Sequence, residues 1–267
     1  MKIIKSLLLV LLFIASFATH SIAQSIDEPI VTDLVKPRNL YDEGFRTGIG
    51  FNAFLNDNGF GIGGTIRKGL QPYTEAFVTL RIAGLRDPSE QIFVGFFGQR
   101  TIPNKFRRAI VFPALFGVKR RIFPEKVSDN FRAFISGAIG PSLVLTYPYF
   151  NDANNNGFRD IFVDNTERIN DVFTGFSESE LDVGLNGEFT VGIDFGENFA
   201  RITSFQVGYL FYYFPDGLQL LEPLRADLTT DGQLQVDAGG NIITEPFRSP
   251  TRFFGTPQIS FTFGGFW

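Results

Sequence analysis

Oxygen-bearing side chains recur at Asp152, Asn154, Asn156 and Asp160, with Gly157 at the sixth place of the run. That spacing suits a hard cation, because alternate side-chain oxygens and the Phe158 carbonyl can wrap calcium while glycine makes the sharp turn. Position twelve of the run is Val163 where a bidentate carboxylate belongs, and Asp164 follows it. A calcium loop of this composition belongs at the weak extracellular end, with a Kd of roughly 10⁻⁴ to 10⁻³ M. Asn and Asp are also good turn formers, so an ordinary surface turn is the competing reading.

Other chemistry is limited by what the chain lacks. It has 1 His and no Cys, so neither a thiolate metal site nor a cysteine nucleophile can be built. Residues 1–23 read as a secretory signal peptide: Lys2 and Lys5 form the basic region, 7–17 the apolar run, and Ser21 and Ala23 the small residues before cleavage at Gln24. Cleavage there removes His20, the single histidine, and with it every Ser-His or Asp-His arrangement. Asp182 and Glu188 share one face of a strand but lie roughly 20 Å apart at about 3.3 Å per residue, too far for an acid–base dyad. No enzymatic activity is expected. With 24 Lys and Arg against 28 Asp and Glu, no basic footprint invites nucleic acid.

The elements that position these groups alternate with a period of two. Over 181–195 the odd positions are apolar or Gly and the even positions are polar or Gly, the pattern of a strand with two unlike faces. The same alternation marks 47–55, 60–67, 75–82, 92–99, 108–121, 131–140, 201–213 and 258–267, nine segments in all. Asn58-Gly59, Asp87-Pro88-Ser89 and Gly196-Glu197-Asn198 read as tight reversals. Two links, 149–178 and 216–250, are long. The chain is 15% aromatic with 33 Phe, and only 19% charged, against about 25% in an average soluble domain.

A soluble barrel or sandwich would bury the apolar face, whereas a membrane barrel turns it to lipid and lines a polar lumen. Secretion, an apolar face rich in Phe and Tyr, and a polar face rich in Gly favour the membrane form. Val191 and Phe205 then face lipid, and Gly184 and Gly192 face the lumen with room for Ser. Ile259, Phe261, Phe263 and Trp267 alternate along the last segment, with Phe266 between them. This resembles the terminal strand of bacterial outer-membrane β-barrels. The chain as a whole is similar to small outer-membrane barrels of Bacteroidota-like bacteria. The resemblance implies that those five residues form a signal for the barrel-assembly machinery, and that the chain resides in the outer membrane of a Gram-negative bacterium, among its lipids.

The expected fold is therefore all-β, a closed transmembrane antiparallel barrel of eight to ten strands with long outer loops, covering 46–267 after an N-terminal segment 24–45. Nine segments conflict with an even strand number. The preferred resolution is a further strand within 29–41; an extra strand at 218–228 is a second, and one hairpin lying outside the barrel, leaving eight, a third. Inward charges include Arg67, Glu75, Arg81, Lys119, Arg121, Arg132, Asp182, Glu188 and Asp194, which should pair across a lumen about as wide as its side chains. The expected role is structural or surface-binding, with a narrow pore as the second choice. A soluble periplasmic barrel binding an apolar ligand is the alternative of a different class.

Overall fold

The computed structural model describes residues 37–94, 100–152, 156–159, 168–171, 173–240 and 242–267. The signal peptide 1–23 and the first part of the N-terminal segment lie outside the described residues. Among the described residues there are twelve strands: β1 (Thr47–Asn56), β2 (Gly59–Gln71), β3 (Thr74–Leu85), β4 (Phe93–Val94), β5 (Arg100–Thr101), β6 (Arg107–Arg121), β7 (Phe131–Pro148), β8 (Glu180–Phe195), β9 (Arg201–Leu218), β10 (Leu224–Ala226), β11 (Thr244–Pro246) and β12 (Thr251–Phe266). Eight of them close into an antiparallel barrel in the order β1-β12-β9-β8-β7-β6-β3-β2, while β4-β5 and β10-β11 form two small hairpins outside it.

The even strand number comes from removing one segment, not adding one. Of the nine alternating segments, eight are barrel strands, and 92–99 contributes Phe93–Val94 to the β4-β5 hairpin. No strand occurs at 37–41, the described part of 29–41. Pro215, Asp216 and Gly217 belong to β9, which runs on to Leu218, and the region after it carries β10 in place of an extra wall strand. In the β1–β2 turn the two linking residues are Asp57 and Asn58, one position earlier than the Asn-Gly reading. Gly59 opens β2 at φ +118° and pairs with Asn56, a backbone conformation that glycine adopts without a Cβ penalty.

Both chain ends of the barrel, with the links 72–73, 122–130 and 196–200, lie at one end, called here the short end. The other end carries the Asp57-Asn58 turn and three long links, 86–106, 149–179 and 219–250. A ladder followed outward from Ile49 runs through Ile66, Val78, Phe116, Ile139, Gly187 and Phe211 to Gly255 on β12. Gly255 stands three residues above Gln258, the partner of Asn56, so one circuit climbs ten residues. Such a climb over eight strands corresponds to a strand tilt of roughly 40°.

Outward side chains are apolar and exposed: Ile49, Phe51, Phe60, Ile66, Leu80, Phe116, Ile139, Phe189, Ile259, Phe261 and Phe263 are all more than two-fifths accessible. Inward side chains are buried, and many are polar: Asn52, Thr65, Arg67, Arg81, Lys119, Asn186, Glu188, Thr190, Ser204 and Thr262. This inverts the distribution of a water-soluble protein.

Candidate functional site

The lumen is the place where polar groups converge, and it is filled in three layers. In the middle, the Arg81 guanidinium on β3 reaches across to Glu188 on β8; Nη2 donates to Oε1 at 3.3 Å and Nη1 to Oε2. Gln258 on β12 donates to the same Oε2 at 2.6 Å, and the Phe54 ring lies 4.9 Å below the guanidinium. Nearer the short end, Asp194 accepts hydrogen bonds from Lys119 Nζ and Ser204 Oγ, each at 2.5 Å. Arg67 stands between Asp194 and Glu75, at 3.8 and 3.9 Å. Small inward residues leave space for these long side chains. A Cβ on Gly63 would sit 2.7 Å from Arg81 Cγ.

At the short end, segment 37–46 lies over the mouth. Arg46 donates its amide to the Trp267 carbonyl, Gly69 donates to the Arg46 carbonyl, and Arg121 donates to the Arg38 carbonyl. Arg121 also pairs with Asp129 at 2.8 Å, and Arg132 donates to the carbonyls of Asp129 and Gly196. Arg38 and Arg132 both stack on Phe199, at 5.1 and 4.3 Å.

The loop-end third of the lumen is apolar, which departs from the expected polar lining. Phe54, Leu85, Val111, Val144, Leu210, Tyr212, Phe214, Leu220 and Phe254 pack there into one buried cluster. The sequence signal was the unbroken run Tyr209 to Phe214, apolar on both faces, since a run without alternation is buried on both sides. The spaces found between the layers are small. A cavity of about 20 Å³ is lined by Asn52, Thr65, Arg67, Arg81, Glu188 and Thr262 among others, and one of about 30 Å³ by Asn39, Glu75, Lys119 and Phe199. Spaces of this size hold a water or two and no solute.

Arg67, Arg81, Arg132, Glu188 and Asp194 thus all point inward and join these networks. Asp182 points inward but lies at the loop-end mouth, and it forms no ion pair with a described residue. The nearby cation, Arg107, pairs with Glu180 instead. One further expectation is corrected. Gly184 and Gly192 do face the lumen, but a Cβ there would lie 2.5 Å from the Tyr213 and Phe205 carbonyl oxygens, respectively, so Ser has no room. In the last strand, Ile259, Phe261, Phe263 and Trp267 are exposed on the outer wall, whereas Phe266 turns inward and covers Gly48.

The long links are tied to one another. Tyr149 donates its amide to Phe106, and Phe106 to Leu220; Lys105 pairs with Glu90 at 2.9 Å. Burial holds the Lys105 ammonium below the usual lysine range despite Glu90. Arg108 stacks 5.0 Å from the Tyr149 ring and donates to the carbonyls of Asn170 and Asp171. Asp171, held below the ordinary carboxylate range by backbone amides of Thr174 and Phe173, starts the turn that places Phe176 against Tyr147 at 4.7 Å.

Of the calcium motif, Asn154 and Asp160 lie outside the described residues. Asp152 accepts the amides of Asn156 and Gly157 at 3.1 and 3.0 Å, and Asn156 accepts that of Phe158 at 3.1 Å. Gly157 has φ +77° and the Phe158 side chain is buried. These bonds account for Asp, Asn and Gly as turn formers without requiring a cation. Among the described residues no group of three or more His, Cys, Asp or Glu could hold a metal ion.

No protein-family model and no curated relative matches the chain. Among solved structures, it is similar to Neisserial surface protein A (NspA), with 7% identity over 83% of this chain and 95% of that one, at a TM-score of 0.37. Ail, the attachment invasion locus protein of Yersinia pestis, aligns with 7% identity over 82% and 97%, at 0.31. CarO2 of Acinetobacter baumannii aligns with 10% identity over 82% and 98%, at 0.30.

Proposed function

We propose that this chain is an integral outer-membrane β-barrel with a structural or surface-binding role, whose three tied links form the recognition face. The observation that carries this reading is the inverted barrel: an exposed apolar wall around a buried, charge-paired lumen. Closure leaves no sheet edge in lipid, so every wall strand satisfies its backbone bonds. In water the same outer wall would be a continuous apolar patch far larger than a soluble monomer exposes. The filled lumen favours a closed barrel over a pore, and among the described residues its spaces of about 20 and 30 Å³ are too small for an apolar ligand. At the loop end, Phe93, Val94, Phe173, Leu228 and Val236 are exposed on a base fixed by inter-link bonds, the arrangement of a surface that meets another macromolecule. No catalytic role is part of this reading. Signal cleavage before Gln24 and insertion by the barrel-assembly machinery complete it.

The test is fractionation followed by reconstitution. The protein is expected to stay with the outer-membrane fraction through carbonate extraction and to change gel mobility on heating. In planar bilayers it should conduct no more than the lipid alone. Recovery as a soluble periplasmic protein would overturn the membrane reading, and steady single-channel conductance would overturn the closed one.

A further inference from the structure

At the outward positions of the regular wall ladders every charge is a cation: Lys68 on β2, Arg120 on β6 and Arg201 on β9 toward the short end, and Arg108 on β6 toward the loop end. Lys68, Arg120 and Arg201 are exposed, and none forms an ion pair with a described residue. The carboxylates at that end sit inside the lumen, as Glu75 and Asp194 do, or in the turns and the 37–46 segment below the wall. Glu43 is bonded to Arg38, Asp129 to Arg121 and Glu197 to Asn130, and Glu125 lies in the turn after β6.

The registers put the three cations near one level. From Lys68 the ladder crosses Ala76 to Val118, and Arg120 lies two residues nearer the short end. The climb across two strands offsets those two residues to within about 2 Å. In the other direction Lys68 pairs with Thr47, whose carbonyl accepts the Trp267 amide, and Arg201 pairs with Gly265. Arg201 and Trp267 fall within roughly 6 Å of the Lys68 level on the same geometry. Arg108, twelve residues further up β6, stands about 30 Å above this ring, the thickness of a bilayer core. The Lys68 stem runs between outward Ile66 and Leu70, so its ammonium can rest at the headgroups while its methylenes stay in the apolar band.

We propose that Lys68, Arg120 and Arg201 form a ring that gathers anionic phospholipid headgroups in the leaflet at the short end. It rests on the membrane-spanning reading above. Lipid is the matching occupant because the ring lies at the edge of the apolar wall, where a headgroup phosphate is the anion within reach. An unpaired cation at an anionic surface enriches acidic lipid by about fivefold, and a ring of three does so around the circumference.

Trp267, the single Trp, is exposed at this level between Lys68 and Arg201 and reports on it directly. The full chain is refolded into phosphatidylcholine vesicles containing a minority of phosphatidylglycerol, with brominated chains placed on one lipid species and then on the other. Per mole, brominated phosphatidylglycerol is expected to quench Trp267 about two- to fivefold more than brominated phosphatidylcholine. High salt should abolish the difference, as should Lys68→Gln with Arg201→Gln in a barrel that still shifts on heating. Moving the reporter beside Arg120, by Ile135→Trp in a Trp267→Phe background, reads the far side, where Arg120→Gln should have the same effect. Equal quenching by the two lipids in the wild type at low salt overturns the proposal while leaving the barrel in the bilayer. Absence of quenching by either lipid overturns the membrane reading itself. If the double variant fails to fold, the salt dependence of the wild type decides.

Discussion

Glu188 shows how much rests on single side chains in this lumen. Its carboxylate is 3% exposed and meets Arg81, itself 2% exposed, as well as Gln258. Removing one partner strands a buried charge, so Glu188→Ala should lower the unfolding free energy by about 3 to 5 kcal/mol. Replacing the pair together, Arg81→Met with Glu188→Leu, should cost much less. Urea titration of the reconstituted barrel measures both; equal losses would mean that the pair is solvated. The glycines provide a second residue-scale contrast. At Gly184 a new Cβ would lie 2.5 Å from both Phe214 Cδ1 and the Tyr213 carbonyl, and at Gly192 2.6 Å from Phe134 Cζ. Gly184→Ser and Gly192→Ser should therefore each cost about 1 to 3 kcal/mol. Gly64 and Gly137, outward with nothing within 4 Å, should accept Ala with no loss. The same titration distinguishes them, and tolerance at Gly184 would show that the upper lumen can repack.

At the scale of elements, β12 has more tasks than any other strand. It closes the barrel against β1 from Gly48–Phe266 to Asn56–Gln258, pairs with β9 along most of its length, and supplies Gln258 to the charge network. Its end is fastened on both sides: Phe266 donates to the Ala200 carbonyl, and Trp267 exchanges backbone bonds with Thr47. Removing Phe266 and Trp267 should leave secretion intact but sharply reduce the heat-modifiable form, because Arg46 and Thr47 lose the backbone bonds that close the sheet at the membrane border. Trp267→Ser keeps the backbone bonds and should reduce the yield less. Wild-type levels of folded barrel from the truncated chain would show that closure tolerates the loss of the final pairs.

Across the whole molecule, depth in the bilayer should order the cost of charging the outer wall. With about 30 Å between the Arg108 and Arg120 levels, Leu80 and Ile139 fall near the middle of the band. Val191 and Phe205 lie in the half nearer the short end. Leu80→Arg and Ile139→Arg should each cost about 2 to 4 kcal/mol, and Val191→Arg and Phe205→Arg less. Folding titrations in vesicles read this order directly. Equal and small costs at all four sites would point to a wall that faces water.

The alternation of side chains is local, so the residues sharing a face could be read from the chain alone. That was enough to identify eight wall strands, the inward charges and the outward Ile259, Phe261 and Phe263. It was also enough to place two of the three long links at one end. What the chain could not reveal was decided between strands far apart in sequence. Period two separates two faces without saying which is buried; the Phe-rich apolar face and the secretory signal favoured the polar one as the lining, and closure of the sheet gave that lining its partners. Eight strands sufficed because the ladder returned to β1 after a ten-residue climb, leaving Phe93 and Val94 in a hairpin outside the wall. Arg81 found Glu188, and Asp182 found no cation among the described residues, because pairing across a lumen depends on height as well as face. Height is set by tilt and register, which no single strand encodes.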